Sequence, residues 1–402
     1  MVNFLIRRFT QIIIITFMVC IVSYTLFYIA PGGPLAELRE INQGGRNALD
    51  PQAFDRIMQR FELDINTVPR FMRWLIGHPR GTIQILGQEF DPQVGCLRET
   101  EPGQVVRLVY PDGRVEESNC LKPVYAKDLE SRRVSNGVVR FDFGLSQKIL
   151  RDRPVTELIT SRLGPTLLLI GLANVLALAI AIPIGIISAV KQYSRFDYFV
   201  TTITFFGSAM PTLFLGLIGI LFLSIGLKDA GLPYLPAQLA SSNTNAVIPF
   251  LGNSFEIQAG SLLDRLWHLV LPVGVLTFVS LTGWSRFIRS SMLEVLKQDY
   301  VRTARAKGLN ERMVVMKHAL RNSLIPFVTL VVGIIPALFG GAIVTESIFS
   351  WPGIGRLYVD ALGRSDYSVS MAILLIGTVL ILVSFLISDV LYTIVDPRIR
   401  LS

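Results

Sequence analysis

Apolar residues in this chain come in long runs, not at the alternating spacing of strands or the one-sided spacing of soluble helices. The first run covers 11–30 and follows Arg7 and Arg8. Others cover about 163–190, 199–227, 267–284, 326–349 and 369–395. About 20 apolar residues in helical form cross the hydrocarbon core of a bilayer. The pattern therefore predicts six membrane spans. The first run is long enough to span, and Pro31 stands where a signal-peptide cleavage site would have to lie, so it is read as a retained span. Basic residues collect in short cytoplasmic loops. Lys191 and Arg195, the segment 286–322, and Arg398 with Arg400 all fall on one side in a six-span reading. Both termini are then cytoplasmic and the 228–266 loop is outside.

The long polar stretch between the first two spans has its own pattern. Asp50 is placed as an N-cap and Pro51 as a first helical residue, opening a helix to about Glu62. Residues 68–76, with Phe71, Trp74 and Leu75, predict an amphipathic helix resting on the membrane surface. Residues 105–110 alternate toward Pro111-Asp112-Gly113, and 114–117 return, which predicts a small β-hairpin. Cys96 and Cys120 bracket that hairpin and are expected to form a disulfide, since the stretch lies on the translocated, oxidising side. The organisation read from the chain is a helix at 1–31, an extracytoplasmic region at 32–162 and a five-span body at 163–402. The fold class is an all-α polytopic membrane protein with a small β insert.

Between the fourth and fifth spans, 286–325 is basic and amphipathic. Met292, Leu293, Leu296, Tyr300 and Ala304 predict one apolar helical face. Gly308 supplies the left-handed residue that commonly ends a helix, and Leu309 folds back over the last turn. Asn310 follows as an N-cap, with Glu311 in the positive field of the new helix and Met313, Met316 and Leu320 as its apolar face. The product is a short cationic elbow. Its apolar flanks pin it to a membrane face, which argues against entry into a DNA groove. The two remaining readings are a solvated loop and a docking surface for a cytoplasmic protein.

Composition agrees with this picture. The chain has 402 residues, of which 51% are hydrophobic and only 17% charged. A net charge of +8 suits loops facing anionic lipid and needs no nucleic acid. The three cysteines and the histidines His78, His268 and His318 are scattered, so no metal site is expected. No G-x-x-x-x-G-K-[ST] phosphate loop occurs. No charge lies at the centre of a span, which weighs against the alternative of an ion-coupled secondary transporter or channel. Pro183, Pro211 and Pro336 each remove a helix hydrogen bond in mid-span. They are either packing kinks or hinges along a pathway. The same two readings cover Gly207, Ser208, Met210, Gly340 and Gly341. Asn174 is read as bonding a neighbouring helix. Glu346 either meets the amine of an incoming peptide or holds a loop, through Arg356.

The segments Asp299-Tyr-Val-Arg-Thr-Ala-Arg-Ala-Lys-Gly-Leu309, His318-Ala-Leu-Arg-Asn322 with Ile325-Pro326, Glu346-Ser-Ile-Phe-Ser-Trp-Pro-Gly-Ile-Gly-Arg356 and Asp396-Pro-Arg-Ile-Arg400 together resemble ABC importer permeases of the dipeptide/oligopeptide/nickel class. Where the wider family has Glu-Ala-Ala ahead of the glycine, this chain has Arg302, Thr303 and Ala304, the habit of the peptide class. The resemblance implies the six-helix permease fold and an ATPase-coupling role for Tyr300, Arg302, Thr303, Ala304, Ala306, Gly308, Leu309, Asn310, Glu311 and His318. It implies a non-catalytic subunit of a bacterial inner-membrane importer. Its partners would be a second homologous permease, two ATP-binding subunits that hold ATP and Mg, and an extracytoplasmic solute-binding protein. The family's extracytoplasmic segment is usually shorter, so about 80–140 reads as an insertion. Dipeptides, longer peptides, nickel chelates and peptide antibiotics all remain open as cargo.

Overall fold

The computed structural model describes residues 2–29, 51–85, 88–99, 106–109, 115–118, 120–132, 135–250, 253–324 and 327–395. The features expected at Pro31, Asp50, Pro111-Asp112-Gly113, Ile325-Pro326 and Asp396–Arg400 lie outside the described residues. The chain forms two compact units: Met1–Thr16, Ile159–Asp360 and Ile373–Ser402 make one, and Phe17–Leu158 with Ala361–Ala372 the other.

Among the described residues, five helices are long and apolar enough to cross a membrane: Asn3–Phe27, Val155–Val190, Thr212–Asp229, Leu262–Leu296 and Tyr367–Leu391. Their exposed side chains include Leu168, Val175, Phe222, Ile381 and Phe385, a surface suited to lipid or another apolar partner. The buried positions on Val155–Val190 include the small residues Ala173, Ala177, Ala181 and Ala189 beside Leu169 and Ile170. Small residues let helix backbones approach closely where lipid offers no hydrophobic drive. Arg8 and Asp389 pair at 2.8 Å. Asn174 donates to Ile170 O of its own helix at 2.7 Å, so the amide is satisfied locally and not by a neighbouring helix.

Two expected spans are broken. Over 199–227 the helix Arg195–Ala209 stops, Met210 is extended (φ −82°, ψ 127°), and Thr212–Gly219 starts after Pro211. Proline lacks an N–H and disfavours the α region for the residue before it, so the break falls on Met210. Over 326–349 the chain forms Phe327–Val332, Ile334–Gly340 and Ile343–Ile348. Gly341 has φ +78°, which no α-helix accommodates. By contrast, Pro165 and Pro183 sit within Val155–Val190 without ending it. The expected fourth span runs on past Trp284 to Leu296.

The second unit is built around a small sheet. Gln93–Glu99 pairs antiparallel with Cys120–Tyr125, in a register that sets Glu99 opposite Cys120. Val106–Val109 pairs with Val115–Ser118. Ile65, Val94, Leu97, Val124, Ala126 and Leu129 form the core. Cys96 and Cys120 are joined, with Cα atoms 5.8 Å apart. The helix Thr67–Ile76 buries Arg70 and Arg73 as well as Leu75, so its polar face turns into protein and not into water. Arg73 Nε and Nη2 both donate to Oε1 of Glu62, at 3.0 and 2.7 Å, and Arg132 grips the two oxygens of Asp64 bidentately. Buried arginines persist only with partners of this kind. Phe71 and Trp74 pack against Tyr24 at 5.2 and 5.4 Å between ring centres.

Thiol labelling checks this unit. In the denatured, unreduced chain only Cys20, the free cysteine, is expected to label. Reduction should expose two more thiols. Labelling of Cys96 and Cys120 before reduction would contradict the pairing.

Candidate functional site

The elbow is two short arms on the end of a long helix. Leu262–Leu296 ends at Lys297, and Gln298 takes an extended conformation (ψ 148°) before Asp299–Ala306 begins. The single apolar face expected from Met292 through Ala304 is therefore split across two elements at Gln298. Gly308 has φ +77°, and its N–H donates to Arg305 O at 2.9 Å. The side chain of Asn310 accepts from Arg312 N at 3.0 Å and opens the second arm over 311–323. Ser291 Oγ donates to Ser323 O at 2.7 Å, tying that arm back to the long helix.

The second arm winds as a π-helix at Val314–Ala319. A π turn takes more residues than an α turn and rotates the following side chains around the axis. Val314, Val315 and Ala319 are buried, while Met313 and Met316 are 48% and 52% exposed. The expected apolar face at Met313 and Met316 is thus an outer face. Val301, Ala304 and Val314 form a core of their own with Val295, Leu296 and Leu309 packed on it. Tyr300 stands outside that core, 43% exposed. The elbow is a small folded body that presents Tyr300, Met313 and Met316 among exposed Arg302, Lys307, Arg312 and Lys317.

Arg305 and Glu311 brace the two arms across the turn with bonds of 3.1 and 2.7 Å. The Arg305 guanidinium holds the Glu311 carboxyl below its usual range, and Glu311 raises Arg305 in return. Both are about half exposed, so screening keeps the pair's contribution to a fraction of a kcal/mol. Of the residues singled out in the sequence, Tyr300, Arg302, Thr303, Ala306, Gly308, Asn310 and Glu311 lie on the elbow surface. Ala304 is buried, and Leu309 and His318 are half-buried. Arg305, Val301 and Val314 carry the elbow's geometry without having been singled out.

The candidate pathway residues are dispersed. Gly207 is buried, Ser208 is exposed and bonds Phe205 O, and Met210 with Pro211 forms the break described above. Pro336 sits in Ile334–Gly340, which ends at the turn through Gly341. Glu346 is fully buried. It accepts from Thr166 Oγ1 at 2.9 Å, from Ala342 N at 3.3 Å and from Arg356 N at 3.0 Å. The Arg356 guanidinium goes instead to Ser350 O at 2.5 Å. Thr166 Oγ1 accepts in turn from Ile354 N at 2.8 Å, and Trp351 Nε1 donates to Pro165 O at 3.0 Å. The segment 346–356 is a buried knot, and Glu346 is its centre.

Gly341→Ala tests that knot. A Cβ there would run into the backbone of Gly355, and φ is positive. The cost is about 2 kcal/mol or more. Thermal unfolding in detergent should show a clear loss of stability, whereas an unchanged melting curve would mean the turn at Gly341 is not built this way.

Comparison with known proteins adds the family. Residues 181–401 match the family described as binding-protein-dependent transport system inner membrane component, and residues 1–98 match the N-terminal family of such membrane components. The oligopeptide transport system permease protein AppB of Bacillus subtilis (strain 168) is 44% identical over 263 residues, covering 65% of this chain and 77% of its own. The dipeptide transport system permease protein DppB of Escherichia coli (strain K12) is 40% identical over 268 residues, covering 66% and 78%. Among solved structures, a chain of the inward-facing MetNI methionine ABC transporter matches with a TM-score of 0.45 at 14% identity, covering 60% of this chain and 97% of its own. With the family match running over residues 181–401, this chain belongs to the inner membrane components of binding-protein-dependent transport systems.

Proposed function

We propose that this chain is the non-catalytic permease subunit of an ATP-driven importer of peptides, with the elbow as its ATPase-coupling surface. The elbow carries the reading. A rigid body with its own core presents three apolar side chains in a cationic surround, which suits a preformed groove better than it suits water. Peptide cargo rests on what the relatives AppB and DppB are named for. The sequence has no phosphate loop, so ATP and Mg belong to partner ATP-binding subunits.

A second, homologous permease completes the pathway. The apolar groove between Val155–Val190 and Leu262–Leu296, lined by Leu172, Leu176, Val270, Gly274 and Phe278, suits such a partner. A solute-binding protein delivers cargo on the outer side, where the 32–162 region lies. Pathway elements are the helix break at Met210 and Pro211 and the turn at Gly340 and Gly341. ATP binding moves the elbow, and the broken helices absorb the change that opens the path. Alternating access needs elements of this bistable kind.

Gly308→Val tests the elbow. Nothing lies within 4 Å of a Cβ at this position, so the strain is purely in the left-handed backbone. The expected result is normal abundance in the membrane, weaker retention of ATPase subunits in pull-down, and peptide uptake reduced at least about tenfold, equivalent to the roughly 1.4 kcal/mol such strain can cost. Full uptake with the ATPases retained would leave the elbow a solvated loop. Orientation has a separate test. Ser242→Cys should react with an impermeant reagent in intact cells and Asn310→Cys should not; the opposite result would invert the topology.

A further inference from the structure

Asp197 has no place in the reading above, yet it is among the most heavily bonded carboxylates in the chain. It lies in the first turn of Arg195–Ala209 and is 2% exposed. Arg289 grips it bidentately, Nε to Oδ1 at 2.7 Å and Nη2 to Oδ2 at 2.8 Å. Ser188 Oγ donates to Oδ1, and Tyr193 N donates to Oδ2 at 2.9 Å. One carboxylate thus joins the end of Val155–Val190, the turn after it, and the long helix Leu262–Leu296. The Arg289 guanidinium holds the acid well below the usual carboxylate range.

The position of Arg289 gives this cluster its consequence. It sits on the part of the long helix that continues past Trp284 toward the elbow. Ile288 and Met292, on either side of it, pack with Val315 and Ala319 of the elbow's second arm. Further along, the same two helices meet again at Gly207, where a Cβ would stand 2.7 Å from Thr282 and 2.8 Å from Phe278. At 1.5 Å per residue, Asp197 and Gly207 are about 15 Å apart along their helix. Two helices fixed at two points that far apart cannot pivot independently. Just beyond Gly207 the helix stops, and Met210 is extended.

We propose that the Asp197–Arg289 pair is the latch through which movement of the elbow reaches the helix break at Met210 and Pro211. Asp197 is then a positioning residue for transport. This rests on the reading of the elbow as the ATPase-coupling surface.

The test must separate a latch from a stabilising ion pair. Asp197→Asn alone strands a buried guanidinium and can fail to fold, so it is compared with the double variant Asp197→Asn, Arg289→Met. Replacing both charges restores packing where a broken pair does not. Nitroxide labels at Ala209→Cys and Phe222→Cys, both exposed, report the distance across the break in the assembled complex. Distances are taken without nucleotide and with ATP trapped by vanadate. The unmodified complex should show a shift. The double variant should keep normal abundance and its ATPase subunits, hydrolyse ATP, and lose more than half of that shift. An undiminished shift in the double variant overturns the latch, as does the absence of any shift in the unmodified complex. Failure of the elbow reading looks different: the Gly308→Val protein would then retain its ATPases and its uptake.

Discussion

A backbone N–H inside a membrane protein must find an acceptor, because hydrocarbon supplies none. Helices satisfy that demand for themselves and breaks do not. Among the described residues, the buried carboxylates Asp197, Asp264, Glu346 and Asp366 stand where the helical ladder is interrupted. Asp197 accepts from Tyr193 N at a turn between helices. Asp264 accepts from Ser242 N and Gly260 N at the start of the long helix. Glu346 takes Ala342 N and Arg356 N on either side of its knot. Asp366 gathers the N–H groups of Gln147, Lys148 and Ile149, with Ser146 Oγ added. Each carboxylate makes a non-helical connection tolerable, and the positions of the helices depend on those connections.

This division of labour bears on function. Charges in spans are usually read as ion or substrate sites. Glu346 invites that reading from sequence, but its oxygens are filled by Thr166 and backbone donors. Its neighbours Trp351 and Ile354 are bonded to the same helix start through Pro165 and Thr166. The carboxylate is architectural. At Met210 and Pro211 a proline interrupts the ladder instead, and the proposed pathway hinge stands there.

Much of this was legible in the chain. Apolar runs mark helices because burying a helix in lipid requires nothing else of the sequence, and Gly308 with Asn310 marks the elbow's turn through local backbone chemistry. Cys96 and Cys120 could be paired because they flank one short β unit. Other features were not legible. Pro183 and Pro211 look alike in sequence, yet one sits within a helix and the other ends one. Met313 and Met316 read as an apolar face, yet Val314, Val315 and Ala319 take the buried positions, a choice that apolar spacing alone does not decide. The Arg305–Glu311 brace crosses a turn at a spacing no helical rule covers, and Asp197 finds Arg289 at 92 positions' distance. Contacts of the last kind belong to the tertiary fold.

The length of Leu262–Leu296 has an electrostatic consequence. Its 35 residues extend roughly 52 Å, against about 30 Å of hydrocarbon. Counted from Trp267, about 20 residues cross the core, and the remainder of the helix to Leu296 extends about 15 Å beyond it. Headgroups fill about half of that distance, and the elbow's second arm packs back against Ile288 and Met292 within it. A Debye length of about 8 Å leaves that arm within the field of an anionic leaflet. The elbow's exposed cations would then be drawn to the leaflet and to a docking macromolecule alike, and added salt would weaken both attractions.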